Sequence, residues 1–273
     1  MIERRHLKIN DLEISYLVKS SEDDPRATVV FIHGFPFSSS IWTSQLGALP
    51  EEVQGIAYDI RGFGNTHGGH SFYSIDLFAR DLIDFLSALA LEKVVLCGIS
   101  MGGYIALRAW ELSSPRIAGL ILCDTNASAD TNEGKLKRFA SIEQVLSEGA
   151  HAFADGFIAN LFSEKTASGN PTVPSFIHEI IVNTPVQTIC SAQLALASRT
   201  DTTASLSSID VPAMVIRGSD DRLMTSVQAR ELKEAIRGAE LCEVPQAGHL
   251  PNCENTNEFN RNLNNYLLKH FLS

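Results

Sequence analysis

Gly98-Ile99-Ser100-Met101-Gly102 sets a serine between two glycines, at the point where the apolar run Val94-Val95-Leu96-Cys97 gives way to the helix-like run Tyr104-Ile105-Ala106-Leu107. A serine hydroxyl is a poor nucleophile at neutral pH. It becomes an effective one when a tight strand-to-helix turn exposes it and a neighbouring base takes its proton. Glycines two residues before and after it leave room for the backbone crossing that such a turn requires. Ser100 is therefore the candidate nucleophile.

A base and an orienting acid lie downstream. Gly248-His249 follows the run that ends at Val244-Pro245, which places an imidazole on a loop at the carboxyl edge of a sheet, where open α/β sheets carry their sites. Asp220 and Asp221 follow Val215-Ile216 in the same way, and Asp124 closes another apolar run as a rival acid. Upstream, Phe31-Ile32-His33-Gly34-Phe35-Pro36 joins a buried run to a helix, and its backbone can face the serine. The N–H groups of Phe35 and Met101 are then candidates to hold the oxyanion formed when a carbonyl is attacked. Each such donor is worth on the order of 3 kcal/mol. His33, Gly34 and Trp42 are candidates for the substrate pocket, with the His33 imidazole also suited to bracing the turn.

Other chemistry is disfavoured. His67-Gly68-Gly69-His70 has two histidines but no third ligand nearby, so it reads as a flexible turn and no metal is expected. Cys97, Cys123, Cys190, Cys242 and Cys253 are odd in number, irregularly spaced and without a C-x-x-C pair, which reads as reduced thiols. Asp59 and Arg61 read as a turn and an ion pair, and Trp110 as packing. Acidic residues exceed basic ones, 32 against 22, and no basic run is longer than Arg4-Arg5, so nucleic acid is not an expected partner. The first residues hold no apolar signal core, and nowhere do 18 apolar residues follow one another; no membrane span and a cytoplasmic location are expected.

The elements that must position these groups follow from periodicity. The 273 residues alternate short apolar runs with amphipathic stretches, which predicts βα units and a mostly parallel sheet with helices on both faces. A hairpin is predicted over residues 4 to 19, with Asn10-Asp11 at its tip. Ser74 is predicted to cap a helix that buries Ile75, Phe78, Leu82, Phe85, Leu86 and Leu89. Residues 126–206 have helical periodicity, few β-branched runs and the breakers Gly169-Asn170-Pro171, so they read as a helical lid inserted in a core made of residues 1–125 and 207–273. Phe139, Ile142, Val145, Phe153, Phe157, Leu161 and Phe162 are its covering side chains.

His33-Gly34-Phe35-Pro36, Asp59-Ile60-Arg61-Gly62-Phe63-Gly64, the Ser100 segment, Gly218-Ser219-Asp220-Asp221 and Gly248-His249-Leu250-Pro251-Asn252-Cys253-Glu254 occur in an order that resembles the α/β-hydrolase superfamily over nearly the whole chain. The resemblance implies an eight-stranded sheet with its second strand antiparallel, a helical cap after the sixth strand and no cofactor. Its Gly-x-x-Asp spacing selects Asp221 over Asp220 and completes a Ser100, Asp221, His249 triad. Within the superfamily the chain is similar to carboxylesterases, 3-oxoadipate enol-lactonases and cofactor-free haloperoxidases. The implied activity is hydrolysis of a small carboxylic ester, lactone or thioester through an acyl-enzyme, falling in acid as His249 takes up a proton. Three alternatives share the triad: a perhydrolase, a carbon–carbon bond hydrolase, and a signal receptor with slow turnover. Lys135, Lys137, Arg138 and Arg199 would suit a carboxylate-bearing lactone, and periodicity alone leaves open which of them faces inward.

Overall fold

The computed structural model describes residues 1–21 and 24–273. The chain opens with the expected hairpin, β1 (Ile2–Ile9) and β2 (Leu12–Lys19), turned at Asn10, whose φ of 53° lies in the left-handed region that a short polar side chain tolerates. Then come β3 (Ala27–Ile32), α1 (Thr43–Ala48), β4 (Val53–Tyr58), β5 (His67–Gly68), α2 (Ile75–Ala88), β6 (Val94–Ile99), α3 (Met101–Ser113) and β7 (Ile117–Cys123). After β7 the chain leaves the sheet for α4 (Asn132–Ile158), α5 (Glu164–Gly169), α6 (Thr172–Val182) and α7 (Val186–Ala197). It returns through β8 (Ala213–Gly218), α8 (Ser226–Ala235), β9 (Glu240–Val244), α9 (Pro251–Glu254) and α10 (Thr256–Leu267).

The main sheet runs β1-β2-β4-β3-β6-β7-β8-β9. β2 is antiparallel to β1 and β4, and every later neighbour is parallel. One strand was not expected. His67-Gly68, read from sequence as part of a flexible turn, pairs with β2 as a two-residue strand, which brings the sheet to nine strands among the described residues. The central strands read as unbroken apolar runs because helices cover both faces; every residue of β3 beyond Ala27, and all of β6, is buried. Ser74 caps α2 by accepting a hydrogen bond from the Leu77 N–H at 3.0 Å, and Ile75, Phe78, Leu82, Phe85 and Leu86 are buried.

Trp42 is fully buried, its ring 5.0 Å from Phe31 and 5.9 Å from Phe259. It packs the core and does not border the cavity described below, contrary to its candidacy for the pocket. α4 kinks at Gly149, where φ is 83°, and the kink lays its second half, with Phe153 and Phe157, onto Phe35. Phe139 does not cover the cavity described below: it is 44 % exposed and borders a separate surface cleft beside Tyr73 and Leu194. Among the described residues no single helix is long and apolar enough to cross a membrane.

Candidate active site

Ser100 has φ 53° and ψ −116°, a conformation that costs a non-glycine residue about 1–3 kcal/mol and persists only where its surroundings dictate it. Its own backbone shows how. The Ser100 N–H donates to the Cys123 carbonyl at 2.9 Å, while its carbonyl accepts from the Gly103 N–H at 2.9 Å and the Thr125 hydroxyl at 2.8 Å. Both flanking glycines are required by backbone approach. A Cβ on Gly98 would collide with the Gly102 carbonyl, and one on Gly102 with the Ile32 carbonyl, and neither obstacle can rotate away. Gly34 sits where an added Cβ would come within 3.1 Å of the Ser100 Cβ, so it leaves room for the strained turn; it is not among the residues bordering the cavity.

Ser100 and His249 share a cavity of about 220 Å³ between the sheet edge and the inserted helices. Phe35, Met101, Phe157, Leu196 and Met224 make its walls apolar, and Tyr104 and Arg138 add polar groups. Met101 begins α3, so its N–H is one of the first-turn donors that have no partner within the helix. Phe35 follows Gly34 in a turn closed by the Phe37 N–H to the Gly34 carbonyl at 2.9 Å, and the Phe35-Pro36 peptide is cis.

The His249 loop is pinned from two sides. Its N–H donates to the Leu161 carbonyl at 2.8 Å, and Glu254 Oε1 accepts from the N–H groups of Gly248 and Leu250 at 2.9 and 3.2 Å. The other Glu254 oxygen takes the Ser163 N–H at 2.8 Å, which ties the loop to the inserted segment. Sequence reasoning included Glu254 in a motif but assigned it no task; the acid three residues after Pro251, at the end of α9, was the available signal.

His249 Nδ1 lies 2.8 Å from Asp221 Oδ2, both side chains being buried. A carboxylate acceptor makes Nδ1 the donor, which leaves the Nε2 lone pair as the free end of the ring. Asp221 Oδ1 in turn takes the Leu223 N–H at 2.7 Å. Burial alone would raise the Asp221 pKa, but the imidazole and the hydrogen bonds it receives outweigh burial and hold it below the usual carboxylate range. Asp220 is exposed and accepts from its neighbour Ser219.

Asp124 adds a second buried carboxyl. Its Oδ1 takes the Gly218 N–H at 2.9 Å, and its Oδ2 is buried without a hydrogen-bond partner. One oxygen of Asp124, one of Asp221 and a ring nitrogen of His249 lie within 4.8 Å of one another. Burial, reinforced by the Asp221 charge, pushes the Asp124 pKa well above the usual range. Two adjacent buried carboxylates do not both ionise; a proton on Asp124 gives its orphan oxygen an acceptor in Asp221 and leaves the charge where the imidazole needs it.

His33 is a brace and not a pocket wall. Its Nδ1 is 2.8 Å from the Gly34 carbonyl and its Nε2 accepts the Ile60 N–H at 3.0 Å, which fixes the neutral ring. Burial lowers its pKa to about 4. The unfolded chain protonates this residue below about 6.5, so across that window it binds more protons than the folded chain, and stability falls as the pH falls. Between pH 6.5 and 4 the native protein is expected to lose about 3 kcal/mol that a His33→Gln variant does not lose. Denaturant titrations at the two pH values measure this, and equal losses in both proteins would exclude a buried neutral His33.

Asp59 and Arg61 do not pair with each other. Asp59 takes the Ser39 and Asn65 N–H groups at 2.7 and 2.9 Å and meets Arg4 at 3.2 Å; Arg61 is held by Asp81 at 2.7 Å. They organise the neighbouring turns separately, because Arg61 points back to α2 while Asp59 points under the loop that follows β3.

A profile of the Alpha/beta hydrolase family matches residues 29–257. The 3-oxoadipate enol-lactonase 1 of Acinetobacter baylyi is 27% identical over 246 residues, covering 90% of both chains. The non-heme chloroperoxidase of Kitasatospora aureofaciens is 31% identical over 265 residues, covering 88% of this chain and 92% of that one. Among solved structures, a malate-bound thermophilic esterase from Thermogutta terrifontis superposes with a TM-score of 0.91 at 30% identity, over 98% of this chain and 99% of that one.

Proposed function

The chain belongs to the alpha/beta hydrolase family, and from that premise we propose that it is a serine hydrolase that cleaves a small carboxylic ester, lactone or thioester. The observation that carries this reading is the meeting of three distant segments: a strained Ser100 borders the same cavity as His249, whose far nitrogen is anchored on the buried Asp221. His249 Nε2 takes the Ser100 proton as Oγ bonds to the substrate carbonyl carbon. The tetrahedral oxyanion is held by the N–H groups of Phe35 and Met101. Its collapse breaks the bond to the leaving oxygen or sulfur, which departs with the proton from the imidazolium. Water then repeats the sequence on the acyl-enzyme, releasing the acid and restoring Ser100.

Residues 126–206 act as a cap on a core of residues 1–125 and 207–273. Phe157 and Leu196 from that segment border the cavity, and the Leu161 carbonyl holds the His249 loop. The cysteines are free thiols, in keeping with a reducing, cytoplasmic setting.

A panel of esters and lactones graded in chain length and charge tests the reading. The expected result is saturable hydrolysis of short substrates, and a complete lack of turnover across the panel would overturn it. The identity to the chloroperoxidase favours one second reading, transfer of the acyl group to hydrogen peroxide by the same triad; peracid formed from acetate and peroxide would identify it.

A further inference from the structure

We propose that Arg138 recognises a carboxylate at the end of the substrate remote from the scissile bond, so that the preferred substrate class is a half-ester or lactone of a dicarboxylic acid. The inference rests on the serine hydrolase reading and deepens it. Among the described residues, the cavity that holds Ser100 and His249 is otherwise walled by uncharged side chains, and Arg138 is its one permanent cation. A guanidinium in an apolar, partly enclosed cavity attracts a carboxylate more strongly than it would in water, and a charge-assisted hydrogen bond gives that attraction a direction.

The surroundings of Arg138 leave one of its nitrogens without a protein partner among the described residues. Asp130 is shared by two guanidiniums: Arg138 Nε reaches its Oδ2 at 2.9 Å, and Arg199 binds its Oδ1. Asp201 adds a second carboxylate, whose pKa the Arg199 charge helps to lower, so the two acids balance the two guanidiniums. The nearby Asp201 is directed to the N–H groups of Ala129 and Thr203. Arg199 is buried, donates to the Ser128 carbonyl at 2.7 Å and lies 4.2 Å over the Tyr104 ring, so it is committed to the protein. Arg138 is committed only in part. Its Nε and Nη1 are fixed on Asp130 and on Gln193 at 3.1 Å, which sets the plane of the group, while Nη2 takes no protein partner among the described residues.

Position makes the same case. Arg138 also borders a surface cleft of about 240 Å³ that it shares with Lys137 and Asp130. It stands between that cleft and the catalytic cavity, where an anion entering past Lys137 would meet it. Of the four cationic residues that the sequence left unplaced, Arg138 alone borders the cavity with Ser100.

Monomethyl glutarate and dimethyl glutarate share one carbon skeleton and differ in charge. Acid release from each, measured with the wild type, Arg138→Gln and Arg138→Lys, tests the proposal. The wild type is expected to favour the half-ester in kcat/KM by tenfold or more. Arg138→Gln is expected to lose at least tenfold more on the half-ester than on the diester, and Arg138→Lys to retain part of the preference. Equal kcat/KM on the two substrates in the wild type, or equal losses on both in Arg138→Gln, overturns the assignment. Arg138→Gln also loses the Asp130 contact; should it fail to fold, calorimetric binding of glutarate against neutral glutaramide to the wild type decides the matter, and equal affinities reject the proposal. Failure to hydrolyse either ester counts against the serine hydrolase reading alone, because glutarate binding that depends on Arg138 is measured without turnover.

Discussion

Ser100→Ala is expected to lower kcat for a short-chain ester by about a thousandfold or more, with the melting temperature held within a few degrees. The loss is large because the three side chains act as one unit: without Oγ no acyl-enzyme forms, and His249 and Asp221 have nothing to activate. The fold has little reason to suffer. The strained turn at residue 100 is held by backbone bonds to Cys123 and Gly103 and by the Thr125 hydroxyl on the carbonyl, and none of these involves the serine side chain. A variant that keeps more than a tenth of the native rate would show that the bond is broken by some group other than Ser100.

Asp221→Asn is expected to have an effect of comparable size, on the order of a thousandfold or more in kcat. An asparagine preserves the shape but removes the charge. If its amide nitrogen faces the ring, it donates to Nδ1, and the proton moves to Nε2, the nitrogen that must accept from Ser100. Asp124→Asn is the control. The new side chain keeps an oxygen for the Gly218 N–H, which Asp124 now accepts at 2.9 Å, and places an amide donor where the protonated carboxyl stood beside Asp221. Its rate is expected to stay within a few-fold of native. A severe loss in Asp124→Asn with a mild one in Asp221→Asn would reverse the two roles.

Much of the architecture was legible because its signals are local. Asn10-Asp11 between alternating runs specified the first hairpin, Ser74 followed by a 3.6-residue apolar period specified α2, and unbroken apolar runs marked strands buried on both faces. What escaped was decided by chain segments far apart in sequence. The pairing of His67-Gly68 with β2 depends on how the loop after β4 folds back over the hairpin tip, and two residues carry no period. Trp42 is as apolar in the core as it would be at a pocket wall; only Phe31 and Phe259, on either side of it, settle which it is. Phe139 has the same helical spacing as the buried Val145, and only the structure shows that it borders a surface cleft beside Tyr73 and Leu194 and not the cavity.

The candidate site divides along the same line. By itself the sequence determined that a serine stands on a glycine-flanked strand-to-helix turn, that a histidine and an aspartate follow later strands, and that His33-Gly34-Phe35 leads away from another. These are statements about types and spacing, which backbone sterics and hydrophobic periodicity translate directly into elements. Tertiary structure alone decided that Asp124 lies beside Asp221 and that, of the several cations in the inserted helices, Arg138 reaches the cavity. The physical reason is that charge and hydrogen bonding act over a few ångströms in space, and those distances exist only after the sheet has brought residues 100, 124, 221 and 249 to a single edge and the inserted helices have closed over them.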